Sequence, residues 1–417
     1  MEKIDILFVC YGGGHSAIIK PLAEELIKNH PKINFKILAL TLAHNSMKKK
    51  FPHHTLGLKD IIKIFSVQEK QEITKLGKSI LSENYRDDGT VSEYESILYL
   101  GLSLYDLIHA RGKEEAYKQY NNFHRAAFLP KITMERILKN LKPRLVCATN
   151  APRFEKAALL AANNLNIENY EIIDLFGENH EVSSRNIIVM DEYVIHNLKL
   201  NNKKNIKYFS LGQPAVENTV KEIKSLDRRL ITDKLHLFKY NRSAINIVFF
   251  SQRISFINKE LTLKFYNKLL KVFNNLSSLY NINIFVRLHP GENIEDYWGK
   301  LDCSNLKFIH DILTLPESIV LGDIIVTQYS TVALESIYSG KTVCTFHHNL
   351  EGTYPVSRFM MDPYLFSMGF DELEDNLISL LDNPSILLRK ITKSTNSVHK
   401  IIQLFINSLC RENSICD

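Results

Sequence analysis

The sequence predicts an α/β protein built from two Rossmann-like, doubly wound domains facing each other across a cleft. Three observations carry that expectation. The chain has 417 residues, too many for one ordinary core and enough for two domains of about 200 residues each. It opens as strand, glycine-rich turn, amphipathic helix and strand. Its second half alternates short branched-aliphatic strands with helices, the pattern of parallel strands joined by crossovers.

The opening unit reads "KIDILFVC", then "SAIIKPLAEELIKNH" with apolar residues at helical spacing, then "INFKILAL", which makes a βαβ unit. From about 57 to 140 only helical periodicities follow, so the first domain carries a helical insertion. Strand alternation resumes at "RLVCATN", and "NYEIIDLFG" and "NIIVMDEYVI" continue it beyond an Ala-rich helix. "KYFSLGQPAVENTVKEI" supplies a strand, a Gly-Gln-Pro turn and a new helix, which places the hinge near Gly212. The N-terminal domain is therefore expected over 1–210 and the C-terminal domain over 211–395, with a helical tail over 396–417. Five strands are expected in the second sheet, within "AINIVFFSQR", "NINIFVRLHPGEN", "LKFIHD", "LGDIIVTQ" and "KTVCTFHH".

Composition narrows the class. Hydrophobic residues make up 45% and charged residues 24%, and no run approaches the roughly 18 apolar residues of a membrane helix. "MEKIDILFVC" is too short and too strand-like for a signal peptide, so a cytoplasmic protein is expected, with peripheral contact at the inner membrane face compatible. The six cysteines form no CxxC pair and read as buried free thiols. A net charge of +6 without an Arg/aromatic module speaks against nucleic acid.

Ligands of doubly wound sheets bind beyond the carboxyl ends of the strands. After the first strand comes "YGGGHS", where Gly12, Gly13 and Gly14 permit close approach and a helix start offers unpaired N–H groups. The bland alternative is a tight turn capped by Ser16. A dinucleotide fingerprint would need glycine where Ala17 stands, and no Gly-Lys-Ser/Thr follows to make a P-loop. His15 at a cleft mouth can exchange a proton near neutral pH. Asp174 and Glu178 end another strand of this domain, and Asn150, Arg153 and Glu155 a third. Asp174 is a second candidate base; Asn150 and Arg153 are candidates for the acceptor side. The Asp-Asp-Gly of "RDDGTVSEY" reads as a turn.

In the second domain, "DIIVTQYSTVALESIYSGK" ends a buried strand at Thr327, starts a helix at Ser330-Thr331 and places Glu335 on its next turn. Glu335 completes no capping box for either hydroxyl. It is free for a ribose diol, while hydroxyls and N–H groups meet phosphate. Arg287 and His289 share one face of an extended strand end held by Pro290, and could converge on phosphate oxygens. Ser251, Gln252 and Arg253 close a third strand on the same edge.

These residues resemble a family. "GGGH" after the first strand, paired with "QYSTVALESIYSGK" after a late one, resembles glycosyltransferases of the GT-B fold. The first element is similar to the glycine-rich loop of the MurG and monogalactosyldiacylglycerol synthase group. The second resembles the donor-nucleotide segment of MurG and of the non-hydrolysing UDP-N-acetylglucosamine 2-epimerases. "RLHP" with Ser330-Thr331 is similar to motifs of bacterial sialyl- and polysialyltransferases, and "SLGQP" to the inter-domain segment of capsule and surface-polysaccharide transferases.

The resemblance implies a donor nucleotide held by the C-terminal domain on His289, Ser330, Thr331 and Glu335, and an oligosaccharide or lipid-linked saccharide acceptor on the N-terminal domain. It implies transfer from a UDP- or CMP-sugar in surface-glycan synthesis, with no cofactor or metal beyond the nucleotide sugar. That agrees with the lack of a DxD-like pair at any late strand end. The first loop is one glycine-threonine short of the MurG pattern, and "TVALES" replaces the epimerases' paired-glutamate segment. A 2-epimerase and a non-catalytic glycan- or nucleotide-binding protein are the rival readings.

Overall fold

Strand β1 (Ile6–Tyr11) is buried from Ile6 to Cys10 with apolar side chains on both faces. A strand like that needs cover above and below, which a parallel sheet with helices on each face supplies. It pairs in parallel with β2 (Phe35–Leu40) and β4 (Leu145–Thr149). With β3 (Thr55–Leu56), β5 (Glu168–Ile172), β6 (Asn186–Val189) and β7 (Lys207–Ser210), the first sheet runs β3-β2-β1-β4-β5-β6-β7. The second sheet takes β8 (Ile245–Phe250), β9 (Ile282–Arg287), β10 (Leu306–Phe308), β11 (Ile324–Thr327), β12 (Thr342–His347) and β13 (Leu365–Gly369) in the order β10-β9-β8-β11-β12-β13. All its pairings are parallel. The edge strands β3 and β13 are additions to the sequence reading. This computed structural model describes residues 3–412 except 86, 88, 175, 178–179, 202–204, 237, 239–240, 253–258, 329, 348–364 and 384–395.

Each sheet reverses its strand order once, at β1/β4 in the first and β8/β11 in the second. Those reversals open crevices at the carboxyl edge where ligands of such sheets bind.

The chain divides into one compact unit of residues 1–215 with 395–417 and a second of residues 216–394. The first therefore extends past the expected boundary at 210. Gln213 explains this: its Nε2 donates to the Asp174 carbonyl at 3.3 Å and its Oε1 accepts from the Ala215 N–H at 2.6 Å, tying the Gly-Gln-Pro turn to the first unit. Nor is the C-terminal segment a separate tail. Its helix Ser397–Glu412 carries Val398, Ile401, Ile402, Phe405 and Leu409 on one stripe, and this stripe is buried against the first unit's core. Phe405 packs 5.1 Å from the Tyr170 ring, and Tyr170 and Ser408 share a 2.5 Å hydrogen bond between hydroxyls.

The insertion is helical throughout its described part, with helices Leu58–Ile61, Val67–Ser79, Glu93–Arg111, Lys113–Phe123 and Lys131–Leu141. Two glycines set its central crossing. A Cβ on Gly77 would lie 2.0 Å from the Ile97 carbonyl oxygen, and one on Gly101 2.1 Å from that of Ile73. The helices Val67–Ser79 and Glu93–Arg111 therefore touch backbone to backbone, which only glycine permits. Asp106 then fixes helix Lys131–Leu141 by accepting from the N–H groups of Ile132 and Thr133 at 2.8 and 2.7 Å. Cys10, Cys147 and Cys344 are buried free thiols.

Candidate functional site

In the first unit the switch point lies between the ends of β1 and β4. The helix after β1 begins at Gly12, not at Ser16, and its first turn has no side-chain cap. Ser16 instead donates to the Gly13 carbonyl at 2.8 Å, which corrects the reading of a turn capped by Ser16. Gly12 has φ +71°, a left-handed conformation that favours glycine. Gly13 and Gly14 are exposed, and a Cβ on either would meet nothing within 4 Å. Nothing inside the unit requires them to be bare.

His15, on this first turn, and Asp174, two residues beyond β5, come together with Nδ1 3.9 Å from Oδ2. Nδ1 is buried without a hydrogen-bond partner among the described residues. Burial lowers the His15 pKa below the ordinary 6.5, and the Asp174 charge opposes this only in part. The imidazole is thus neutral at pH 7, as a base must be. Asn150 bridges the ends of β4 and β5: its Oδ1 accepts from the Asp174 N–H at 3.0 Å, while its own N–H donates to the Ile172 carbonyl. Its place is to hold Asp174.

Arg153 sits in a strained conformation, φ +76° and ψ −112°, of the kind that clusters at functional positions. Its guanidinium lies 5.4 Å from the centroid of the Tyr11 ring, and its Nε is buried without a partner among the described residues. Beyond it is Glu155, fully buried, with no well-formed hydrogen bond to either carboxylate oxygen among the described residues. Burial pushes this carboxyl up to about 8, against the weaker pull of the Arg153 charge and nearby amides. The folded-state pKa is raised, so stability falls as pH climbs from the ordinary carboxylate range to about 8. Glu155→Gln should flatten that decline by about 3–5 kcal/mol, read by urea unfolding between pH 5 and 9; an unchanged pH profile would show that Glu155 ionises freely. Glu178, with Arg86 and Asp88 of the Asp-Asp-Gly turn, lies outside the described residues.

In the second unit the switch point lies between β8 and β11. Helix Val332–Tyr338 follows β11, with Thr331 at the N-cap position. Its first amides are already occupied: the N–H of Val332 reaches Ser330 Oγ at 3.3 Å, that of Ala333 the Ser330 carbonyl and that of Leu334 the Thr331 carbonyl. This corrects the expectation that the amides of this helix's first turn are open to phosphate. Glu335 is buried, its carboxyl bonded by Thr219 while Oε2 has no partner among the described residues. Burial pushes it up to about 7. Gln328, one residue past β11, escaped the sequence reading. It is 2% exposed, and neither its Oε1 nor its Nε2 has a partner among the described residues.

At the neighbouring strand ends, Arg287 and His289 do not converge. Arg287 is half-buried and its Nη1 donates to the Leu313 carbonyl and, at 3.3 Å, to Ser318 Oγ, so it braces the loop before helix Leu315–Leu321. The exposed His289 accepts at Nδ1 from the Gly291 N–H, 3.0 Å away, in the turn made by Pro290. A neutral ring in that arrangement carries its proton on Nε2, pointing a donor outward. Ser251 is buried, not open: its Oγ donates to Glu292 Oε1 at 3.1 Å, as does the Tyr266 hydroxyl, while Glu292 Oε2 takes the His289 N–H at 2.9 Å. Glu292, unnoticed in the sequence, locks the ends of β8 and β9 together. Arg253 lies outside the described residues.

Two parallel sheets, each reversing once and each carrying its polar groups at that reversal, match known architectures over nearly their whole length. The chain has the GT-B fold. The UDP-GlcNAc 2-epimerase from Neisseria meningitidis aligns with TM-score 0.60 and 13% identity, over 97% of this chain and 100% of that one. That from Methanocaldococcus jannaschii gives 0.59 and 14%, over 97% and 100%. Acinetobacter baumannii MurG gives 0.51 and 12%, over 97% and 99%. No protein-family profile and no curated protein sequence matches the chain. No described helix is long and apolar enough to cross a membrane.

Proposed function

We propose that this protein is a glycosyltransferase that moves a sugar from a UDP- or CMP-activated donor to a saccharide hydroxyl, as in bacterial surface-glycan synthesis, without a metal. The observation that carries it is the second unit's switch point. Buried Gln328 and Glu335 each present polar atoms there that have no partner among the described residues, next to Ser330 and Thr331. Buried polar groups without partners are costly, and a nucleotide satisfies both kinds. Glu335 accepts from the ribose diol, and the Gln328 amide, donor and acceptor together, pairs with a base edge. The His289 Nε2–H and the Thr331 hydroxyl stabilise the departing phosphate. Arg287 supports from behind, through Leu313. In the first unit His15 takes the acceptor proton, oriented by Asp174, while Gly13 and Gly14 leave the space an acceptor needs.

A thermal-shift series with UDP, CMP, GDP and CDP tests the donor assignment, because a ligand bound only by the folded state adds about 2.7 kcal/mol at a hundred times its Kd. UDP or CMP should raise the Tm; no shift with either sinks the reading. The second reading, a nucleotide-sugar 2-epimerase, is favoured by the similarity to the two epimerases. It predicts conversion of UDP-GlcNAc with no acceptor present, which proton NMR of the sugar would reveal.

A further inference from the structure

Four residues before His15, Tyr11 lines a cavity of the first unit. This cavity of about 930 Å³ lies between the helical insertion and the carboxyl ends of β1 and β2, a volume typical of small-molecule sites, which run to roughly 1,000 Å³. We propose that this cavity binds a short saccharide, the hydroxyl-bearing partner of the transfer reaction. The proposal rests on the glycosyltransferase reading and adds to it a site for the acceptor.

Four features of the cavity carry the inference. First, Tyr99, 3% exposed and lining the space, has a hydroxyl with no hydrogen-bond partner among the described residues. A buried phenol without a partner is costly, and this one belongs to a residue of the cavity wall. Second, Thr41, just past β2, is held at φ 49° and ψ −121° and also lines the cavity, its buried Oγ1 without a partner among the described residues. A β-branched residue at positive φ is strained, and here the strain coincides with a second orphaned hydroxyl.

Third, the lining suits sugar rings and not lipid. Of its 14 residues only Leu42, Val91 and Leu100 are aliphatic; the rest are hydroxyl, amide, charged or aromatic side chains and one histidine. A prenyl chain would leave those polar groups without water, whereas a saccharide bonds them and lays its apolar face on the Tyr11 and Tyr99 rings, 5.8 Å apart by centroid. Fourth, Tyr11 joins the cavity to the candidate base. It precedes Gly12, its hydroxyl accepts from Arg125 Nη2 at 3.3 Å, and its ring carries the Arg153 guanidinium. A saccharide resting on Tyr11 therefore ends beside the glycine-rich turn that bears His15.

The test is saturation-transfer NMR on the full-length protein with N-acetylglucosamine, galactose, lactose and N-acetylneuraminic acid, and with geranyl phosphate as the lipid arm. At least one saccharide should receive saturation from the wild type and geranyl phosphate none. Ser96→Trp, which fills the cavity from a half-buried helix position, should abolish the saccharide signal. Tyr99→Phe, which removes only the orphaned hydroxyl, should weaken binding roughly 2- to 10-fold. UDP and CMP melting shifts on the same samples confirm that each variant is folded and judge the donor site separately. Silence from every saccharide, an undiminished signal in both variants, or binding of geranyl phosphate alone would overturn the proposal, even with nucleotide shifts intact. Absent nucleotide shifts would instead remove the transferase reading beneath it.

Discussion

Glu335→Ala is expected to weaken UDP or CMP binding by roughly 10- to 100-fold, the effect of losing one or two hydrogen bonds to a charged acceptor. The carboxyl is buried and pushed up to about 7, so its ionised form, the one the proposed ribose contact requires, is populated only near and above neutrality. Nucleotide affinity should therefore fall as pH drops through 7 in the wild type and stay flat in the variant. Stability runs the other way. A carboxyl with a raised folded-state pKa keeps its full contribution below its ordinary range and loses it as pH rises to about 7. Glu335→Gln should thus make the ligand-free protein more stable at pH 8, by on the order of 1–3 kcal/mol, while still weakening the nucleotide. Titration calorimetry from pH 6 to 8, paired with melting curves, reads both effects. A Gln variant that is less stable and binds normally would show Glu335 to be a structural group.

The sheets were legible because their central strands are apolar on both faces, a pattern that fits only a covered parallel sheet. The edge strands β3 and β13 were not: Thr55–Leu56 spans two residues and Leu365–Gly369 is interrupted by Ser367. The C-terminal helix showed its apolar stripe, but a stripe does not name the surface it covers, and its docking on the first unit is a long-range fact. The same limit governs the site. Strand ends marked His15, Asp174, Ser330 and Glu335 by position alone. Whether a polar atom there is satisfied depends on partners distant in sequence, so Arg287 looked available although Leu313 holds it, and Ser251 although Glu292 does. Gln328 looked ordinary for the converse reason. Nothing in "VTQYS" shows that both ends of that amide lie buried and unmet.

His15→Ala should cut turnover by about 10²- to 10⁴-fold, the usual contribution of a positioned general base, and leave UDP or CMP affinity unchanged because the groups proposed for the nucleotide belong to the other unit. The 3.9 Å gap to Asp174 is too long for a hydrogen bond, yet such pairs often tighten only when substrate arrives. An Nδ1–H turned toward Asp174 leaves Nε2 bare as the proton acceptor. Burial, which lowers the His15 pKa, keeps that nitrogen unprotonated at neutral pH, so the base limb of the kcat profile should lie below the ordinary 6.5 of histidine. Asp174→Asn removes the opposing charge and should push the limb lower still, with a smaller drop in kcat than His15→Ala. These shifts separate a base from a merely structural histidine, whose loss would lower the Tm without moving the profile. If His15→Ala turns over at the wild-type rate, the three glycines and the histidine are no more than the first turn of a helix, and the base must be sought elsewhere in the first unit.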